Sequence, residues 1–216
     1  KANGRMISDL MYRHWDHFVE EIPHPFIADF DGKELANITD ILEKEPFESP
    51  TLPLSGIEQL SWSPDGTKIL YACRKLTGVK YAFSTNTDIY LYDIAAKTHE
   101  NLTEGMMGYD TDPLFSPDGK SLAWISMERD GYEADKKRLF IMNLESREKT
   151  ELTTDYLYNI ETITWMADGS GLYFTSCVKA LTGVYSVNLA DKAIRKVAEG
   201  QYDFDGVMLA GEKLIT

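Results

Sequence analysis

Hydrophobic positions along this chain fall in short runs separated by turn-forming residues. Ile57-Glu-Gln-Leu-Ser61 alternates in the manner of a half-buried strand. The run ends at Trp62-Ser-Pro-Asp-Gly66, and the same turn returns at Phe115-Ser-Pro-Asp-Gly119 and Trp165-Met-Ala-Asp-Gly169. This is hairpin chemistry: proline sets φ for the first turn position, aspartate bonds nearby amides, and glycine accepts a positive φ. Six residues past each aspartate stands an aromatic (Tyr71, Trp124, Phe174) in a second strand. A third apolar strand then ends at Asp93-Ile94, Asn143-Leu144 and Asn188-Leu189, whose Asp or Asn is expected to cap the next turn. A fourth closes at Asn101-Leu-Thr103, Glu151-Leu-Thr153 and, more loosely, Lys196-Val-Ala198.

The aspartates at 65, 118 and 168 stand 53 and 50 residues apart. Self-similarity at such a period marks a β-propeller, in which each repeat is one four-stranded blade. The paired aromatics are then expected to pack between adjacent blades. Blades are read at 57–103, 109–153 and 158–199, with an incomplete one at 8–39 and the start of another at 203–216. In the incomplete blade Ser8–His17 is expected as strand two and Pro25–Thr39 as strands three and four. That reading places Asp29 in the column of Asp93, and Asn37-Ile-Thr39 in that of Asn101-Leu-Thr103. Asp40–Pro53 is a proline-marked connection. The expected fold over 1–216 is all-β, an incomplete propeller of four-stranded blades of about 50 residues. Its open edges invite self-association.

Composition changes little in this picture. Hydrophobic residues make up 43%, enough for real cores, and 22 basic against 35 acidic residues give a net charge of −13. That balance argues against nucleic acid or anionic membrane as partners. No apolar run approaches the roughly 18 residues of a membrane span, so no membrane insertion is expected. Cys73 and Cys177 end second strands two blades apart, beyond the roughly 7 Å reach of a disulfide. Each is expected free and partly buried.

Candidate chemistry is sparse. His14 and Asp16 share one strand face while His17 takes the other, so this spacing does not chelate a metal. Glu20-Glu21 is a candidate anchor for a peptide's free amine. The sequons at Asn37 and Asn101 are assigned to blade geometry rather than glycosylation. The loops joining strands two and three, Arg74–Thr87 and Glu128–Arg138, are long, whereas Val178–Gly183 is short. All such loops share one face of a propeller, so Arg74, Lys75, Lys80, Arg129, Tyr132 and Lys136 are expected around one rim. Basic groups gathered there in an acidic chain mark a candidate substrate or partner face, with solvated hairpins as the alternative. Gly169-Ser-Gly171 lies in a blade turn with the wrong spacing for a nucleophile elbow. There is no glycine-rich phosphate loop, Cys-x-x-Cys or His-Glu-x-x-His, so no catalytic, cofactor-binding or metal-ligating residue is assigned in this chain.

The repeats resemble the non-catalytic propeller of prolyl oligopeptidase-type serine peptidases, most closely the acylaminoacyl-peptidase and dipeptidyl-peptidase branches. Leu10-Met-Tyr-Arg-His-Trp-Asp16, Thr111-Asp-Pro-Leu-Phe-Ser-Pro-Asp-Gly119 and Asp205–Ile215 carry the likeness, which covers essentially the whole chain. The resemblance implies a parent serine peptidase whose Ser-Asp-His triad lies in an α/β-hydrolase domain with no match here. It further implies short peptides and that hydrolase domain as partners, a periplasmic setting, and no activity in this chain alone. The propeller would gate access by admitting short peptides and excluding folded proteins. Ser-Pro-Asp-Gly also occurs in the Tol–Pal system's propeller, so a protein-binding module without enzymatic activity is the alternative. A glycan-binding propeller ranks last, having only Tyr81, Phe83 and Tyr132 for an aromatic platform.

Overall fold

The repeated turns close through their own side chains. Asp65 Oδ1 accepts from the Ser63 hydroxyl at 2.6 Å and from the Thr67 amide at 3.0 Å, while Gly66 takes φ +70°. Ser63 Oγ also accepts from the Lys68 amide at 2.9 Å, so one serine stitches both sides of the hairpin. Ser116, Asp118 and the amides of Lys120 and Ser121 repeat the arrangement. In the third turn Met166 replaces that serine, and Ser170 supplies a hydroxyl to Asp168 at 2.7 Å instead. The Ser63 hydroxyl, with the Thr67 groups, holds the Asp65 carboxyl down at about 2.

The computed structural model describes residues 4, 6–8, 10, 12–14, 17–53 and 55–216, His14 through its backbone only. Two short hairpins come first: β1 (Arg13–His14) with β2 (His17–Phe18), then β3 (Phe26–Phe30) with β4 (Leu35–Asp40). After a 3-10 turn at Ile57–Gln59 come β5 (Leu60–Trp62) and β6 (Lys68–Cys73), then helix α1 (Gly78–Phe83), β7 (Asp88–Asp93) and β8 (Thr98–Asn101). β5 to β8 form one antiparallel sheet in chain order. β9 (Asp110–Phe115), β10 (Ser121–Ser126), β11 (Arg138–Asn143) and β12 (Lys149–Glu151) form the next. β13 (Thr162–Trp165), β14 (Gly171–Val178), β15 (Leu181–Asn188) and β16 (Ile194–Ala198) form a third. β17 (Met208–Ala210) and β18 (Lys213–Ile215) end the chain as a hairpin. The first strands follow one another around an axis: β5 touches β9, β9 touches β13, and β13 touches β17.

The turns between third and fourth strands are capped as expected. Asp93 Oδ1 accepts from the Ala96 amide, Asn143 Oδ1 from Ser146 and Asn188 Oδ1 from Ala190, each at 2.9 Å. The core lies between sheets. Tyr71, Trp124 and Phe174 are all fully buried. Trp124 packs with Leu70, Ala72 and Ile89 of the sheet before it, and Trp165 and Phe174 pack with Ile125 and Leu139. Burying one such aromatic stabilises the fold by about 2–3 kcal/mol.

Several expectations are corrected. Ser8–His17 is not a single strand beside β3: β1 and β2 pair with each other, and Val19 donates its amide to the Tyr12 carbonyl at 2.9 Å. Trp15 and Asp16 of this segment, and with them the proposed sharing of a strand face by His14 and Asp16, lie outside the described residues. Asn37-Ile-Thr39 is not the counterpart of Asn101-Leu-Thr103. The hairpin after β3 is longer, with Asp31 capping the Lys33 and Glu34 amides and a register shift between Ile27 and Asp29. Asp40-Ile-Leu42 takes that place: Asp40 Oδ1 accepts from Leu42 N as Asn101 Oδ1 accepts from Thr103 N, and Ile41 is buried like Leu102. Cys73 is buried, but Cys177 is exposed on β14, and both are free thiols. Burial pushes the Cys73 thiol up to about 12. Trp62, expected between blades, is 55% exposed, against 8% for Phe115 and 6% for Trp165. Phe115 and Trp165 lie against the first and second strands of the preceding sheet. The β3–β4 hairpin before Trp62 offers only the outer pair.

Candidate functional site: a cleft between two loops

The segments after β6 and β10 rise on the same side, and polar bonds clasp them together. Asp130 Oδ1 accepts from the Ser84 hydroxyl at 2.7 Å and the Thr85 amide at 2.8 Å. Thr85 Oγ1 accepts from the Gly131 amide at 2.8 Å, where Gly131 has φ +79°. The expected loop 74–87 carries helix α1, whose residues Val79 and Phe83 are exposed. Between the clasped loops lies a cleft of about 610 Å³, with Arg74, Tyr81, Phe83, Tyr109, Tyr132 and Glu133 in its walls. A second cavity of about 620 Å³ shares Arg74, Tyr109 and Glu133 with it and reaches inward to Glu58, Asp112 and Glu161.

Arg74 follows the last residue of β6 and is only 8% exposed. Its Nη2 donates to the Tyr109 hydroxyl at 3.0 Å, and its guanidinium lies over the Tyr81 ring at 4.8 Å and the Tyr109 ring at 5.4 Å. Tyr81 donates its hydroxyl to the Glu48 carboxylate, and burial together with this bond raises the Tyr81 pKa. The aromatic pair thus holds the guanidinium flat at the junction of the two cavities.

The other expected rim residues do not converge. Lys75 turns away to Glu45 at 2.5 Å and lies over the Tyr90 ring at 4.7 Å. Lys80 is exposed on α1 and lines neither cavity. Arg129 donates through Nε to Asp135 at 2.9 Å and stacks on Tyr132 at 4.1 Å, an arrangement that stiffens its own loop. The Arg129 side chain holds the Asp135 carboxyl below its ordinary range. Lys136 donates to the carbonyls of Thr153 at 3.2 Å and Tyr156 at 2.9 Å. Glu20 and Glu21 are exposed after β2 and line neither cavity. Of the residues expected on the rim, Arg74 and Tyr132 meet at the cleft, where they join Tyr81 and Phe83. Lys75 is neutralised by Glu45, thirty residues away, and Arg129 by Asp135 of its own loop.

Sequence reading missed Tyr109, Glu133 and the acidic inner wall. Asp112 sits on β9 with φ +53°, and burial, with Glu58 nearby, pushes its carboxyl up to about 6. Its signal was a second aspartate two positions after Asp110 at the start of a strand. Lys137, in the same wall, pairs with Glu161 at 2.6 Å. Among the described residues no group of three or more His, Cys, Asp or Glu is placed to hold a metal ion. The cleft offers one buried guanidinium, aromatic faces and the Glu133 carboxylate.

Residues 26–216 match the TolB beta propeller domain. The chain is 52% identical over 204 residues, 94% of its length, to dipeptidyl-peptidase 5 of Porphyromonas gingivalis, of which it covers 30%. It is 49% identical over all its length to dipeptidyl-peptidase 5 of Porphyromonas endodontalis, covering 31% of that protein. The chain therefore spans about a third of the length of these relatives. Among solved structures, TolB from Acinetobacter baumannii superimposes with a TM-score of 0.54 at 23% identity, covering 82% of this chain and 38% of that one. This last likeness speaks for the fold alone. With the domain matched over most of its residues and its strands in successive four-stranded antiparallel sheets, the chain belongs to the TolB-type β-propeller family.

Proposed function

We propose that the chain is the non-catalytic propeller segment of a serine peptidase of the dipeptidyl-peptidase type, and that it restricts access of short peptides to an α/β-hydrolase site located elsewhere in the parent protein. The observation that carries this reading is the 52% identity to a dipeptidyl-peptidase 5 of which the chain covers only 30%. The cleft agrees with it in chemistry. Its walls combine aromatic faces with isolated charges, which suits extended peptide backbone better than a compact apolar ligand. Sheets packed through Trp124 and Trp165 form a stiff wall, and exclusion by size needs stiffness more than any single side chain.

The second reading is a protein-binding module without enzymatic activity, favoured by the TolB-type domain match and the fold of the Acinetobacter protein. Peptidase activity of the full-length protein separates the two. Chromogenic dipeptides with free and with acylated N-termini are offered to the full-length protein and to this chain alone. Turnover by the first and none by the second is the expected result, and the preferred N-terminus assigns the dipeptidyl- or acylaminoacyl-type specificity. An inactive full-length protein moves the assignment to the binding module.

A further inference from the structure

Arg74 stands apart from the other sheltered cations. Lys75 pairs with Glu45, Lys137 with Glu161, Lys68 with Asp93, and Arg138 lies within 3.9 Å of Glu151. Arg74 is more buried than any of these and has no carboxylate within ion-pair distance among the described residues, in a chain with 35 acidic residues. Its Nη2 is engaged by Tyr109, while its Nε–H has no acceptor. A buried guanidinium without a counter-charge is costly, and burial of this kind is normally compensated by a paired anion. Among the described residues it is also the only basic side chain lining the outer cleft.

We propose that Arg74 is the receptor for a carboxylate of a short peptide bound in the cleft, either the C-terminal carboxylate or an Asp or Glu side chain. This rests on the reading that short peptides occupy the cleft, and adds which group on the peptide is recognised. The guanidinium's planar fork matches a carboxylate in geometry, and charge-assisted bonds of that kind are the strong ones. Tyr81 and Tyr109 lie against the guanidinium, which limits the rotamer freedom lost on binding. The clasp of Asp130 with Ser84 and Thr85 keeps the opposite wall in place. Glu133 in the same wall, and Glu48 behind Tyr81, disfavour a dianion. They leave room for a single negative charge, so a carboxylate fits better than a phosphate.

The test is calorimetric titration of this chain with three peptides: Ala-Tyr-Asp amide, Ala-Tyr-Asn with a free C-terminus, and Ala-Tyr-Asn amide. At least one of the first two is expected to bind tenfold or more tighter than the neutral third, and the tighter one identifies the source of the carboxylate. Arg74→Lys, which keeps the charge but loses the fork, should weaken the carboxylate peptide at least fivefold and leave the neutral one unchanged. Glu133→Gln should tighten the carboxylate peptide, and it alone decides the matter if Arg74→Lys does not fold. Equal binding of all three, no binding of any, no tightening in Glu133→Gln, or inorganic phosphate bound more tightly than the peptides would each overturn the proposal. A full-length protein without peptidase activity would remove the gating reading and leave carboxylate binding by this chain standing.

Discussion

Asp110 shows what a single side chain contributes in this architecture. It opens β9, is fully buried, and accepts a bond from Trp124 Nε1 at 3.1 Å through Oδ1, while Oδ2 has no partner. Burial pushes its carboxyl up to about 7, with the bond from Trp124 resisting the shift. The native state therefore holds this proton at pH values where the unfolded chain has released it. Stability from this group is complete below about pH 4, the ordinary carboxylate range, and is lost as pH rises through about 7. Asp110→Asn keeps the acceptor for Trp124 and removes the charge. Urea midpoints at pH 5 and pH 8 should show the variant gaining on the parent as pH rises; a difference that stays constant would contradict the account. None of this was legible in the sequence. Asp110 there is one acid among 35, and only the fold places it under Trp124. The aspartates at 65, 118 and 168 were legible, because their partners lie within two residues of them.

At the scale of elements, each sheet depends on its predecessor. Trp165 is 6% exposed and donates Nε1 to the Leu114 carbonyl of the preceding sheet at 3.2 Å, whereas Trp62 in the matching position is 55% exposed. Trp165→Ala should cost about 3–5 kcal/mol, the range for emptying an aromatic site in a core. Trp62→Ala should cost about 1 kcal/mol or less, as for surface positions. Chemical unfolding of the two variants checks this, and equal losses would mean that Trp62 has a cover the sheet order does not provide. The repeat announced both tryptophans as equivalent. Their difference comes from what stands beside each sheet, which a periodic pattern does not encode. The same limit explains β1–β2 and helix α1. Both lie where the repeat is interrupted, and no neighbouring copy of the pattern fixed their form. The basic side chains follow another rule. The directions of Arg74, Lys75 and Arg129 depend on Tyr109, Glu45 and Asp135. Only the last of these lies within the same loop.

For the whole molecule, stiffness and shape matter together. Successive sheets share aromatic cores, the two loops are clasped through Asp130, and the two adjoining cavities are lined by the buried Arg74 guanidinium, Lys137 and several carboxylates. On this account the propeller works by what it excludes. The most direct test compares one N-terminal dipeptide in two settings, as a short chromogenic peptide and as the start of a folded protein, each offered to the full-length protein that carries this chain. Cleavage of the short peptide at least a hundredfold faster than the folded substrate is the result the account requires. Equal rates on both would show that access is not restricted, and would contradict the gating role assigned to these sheets.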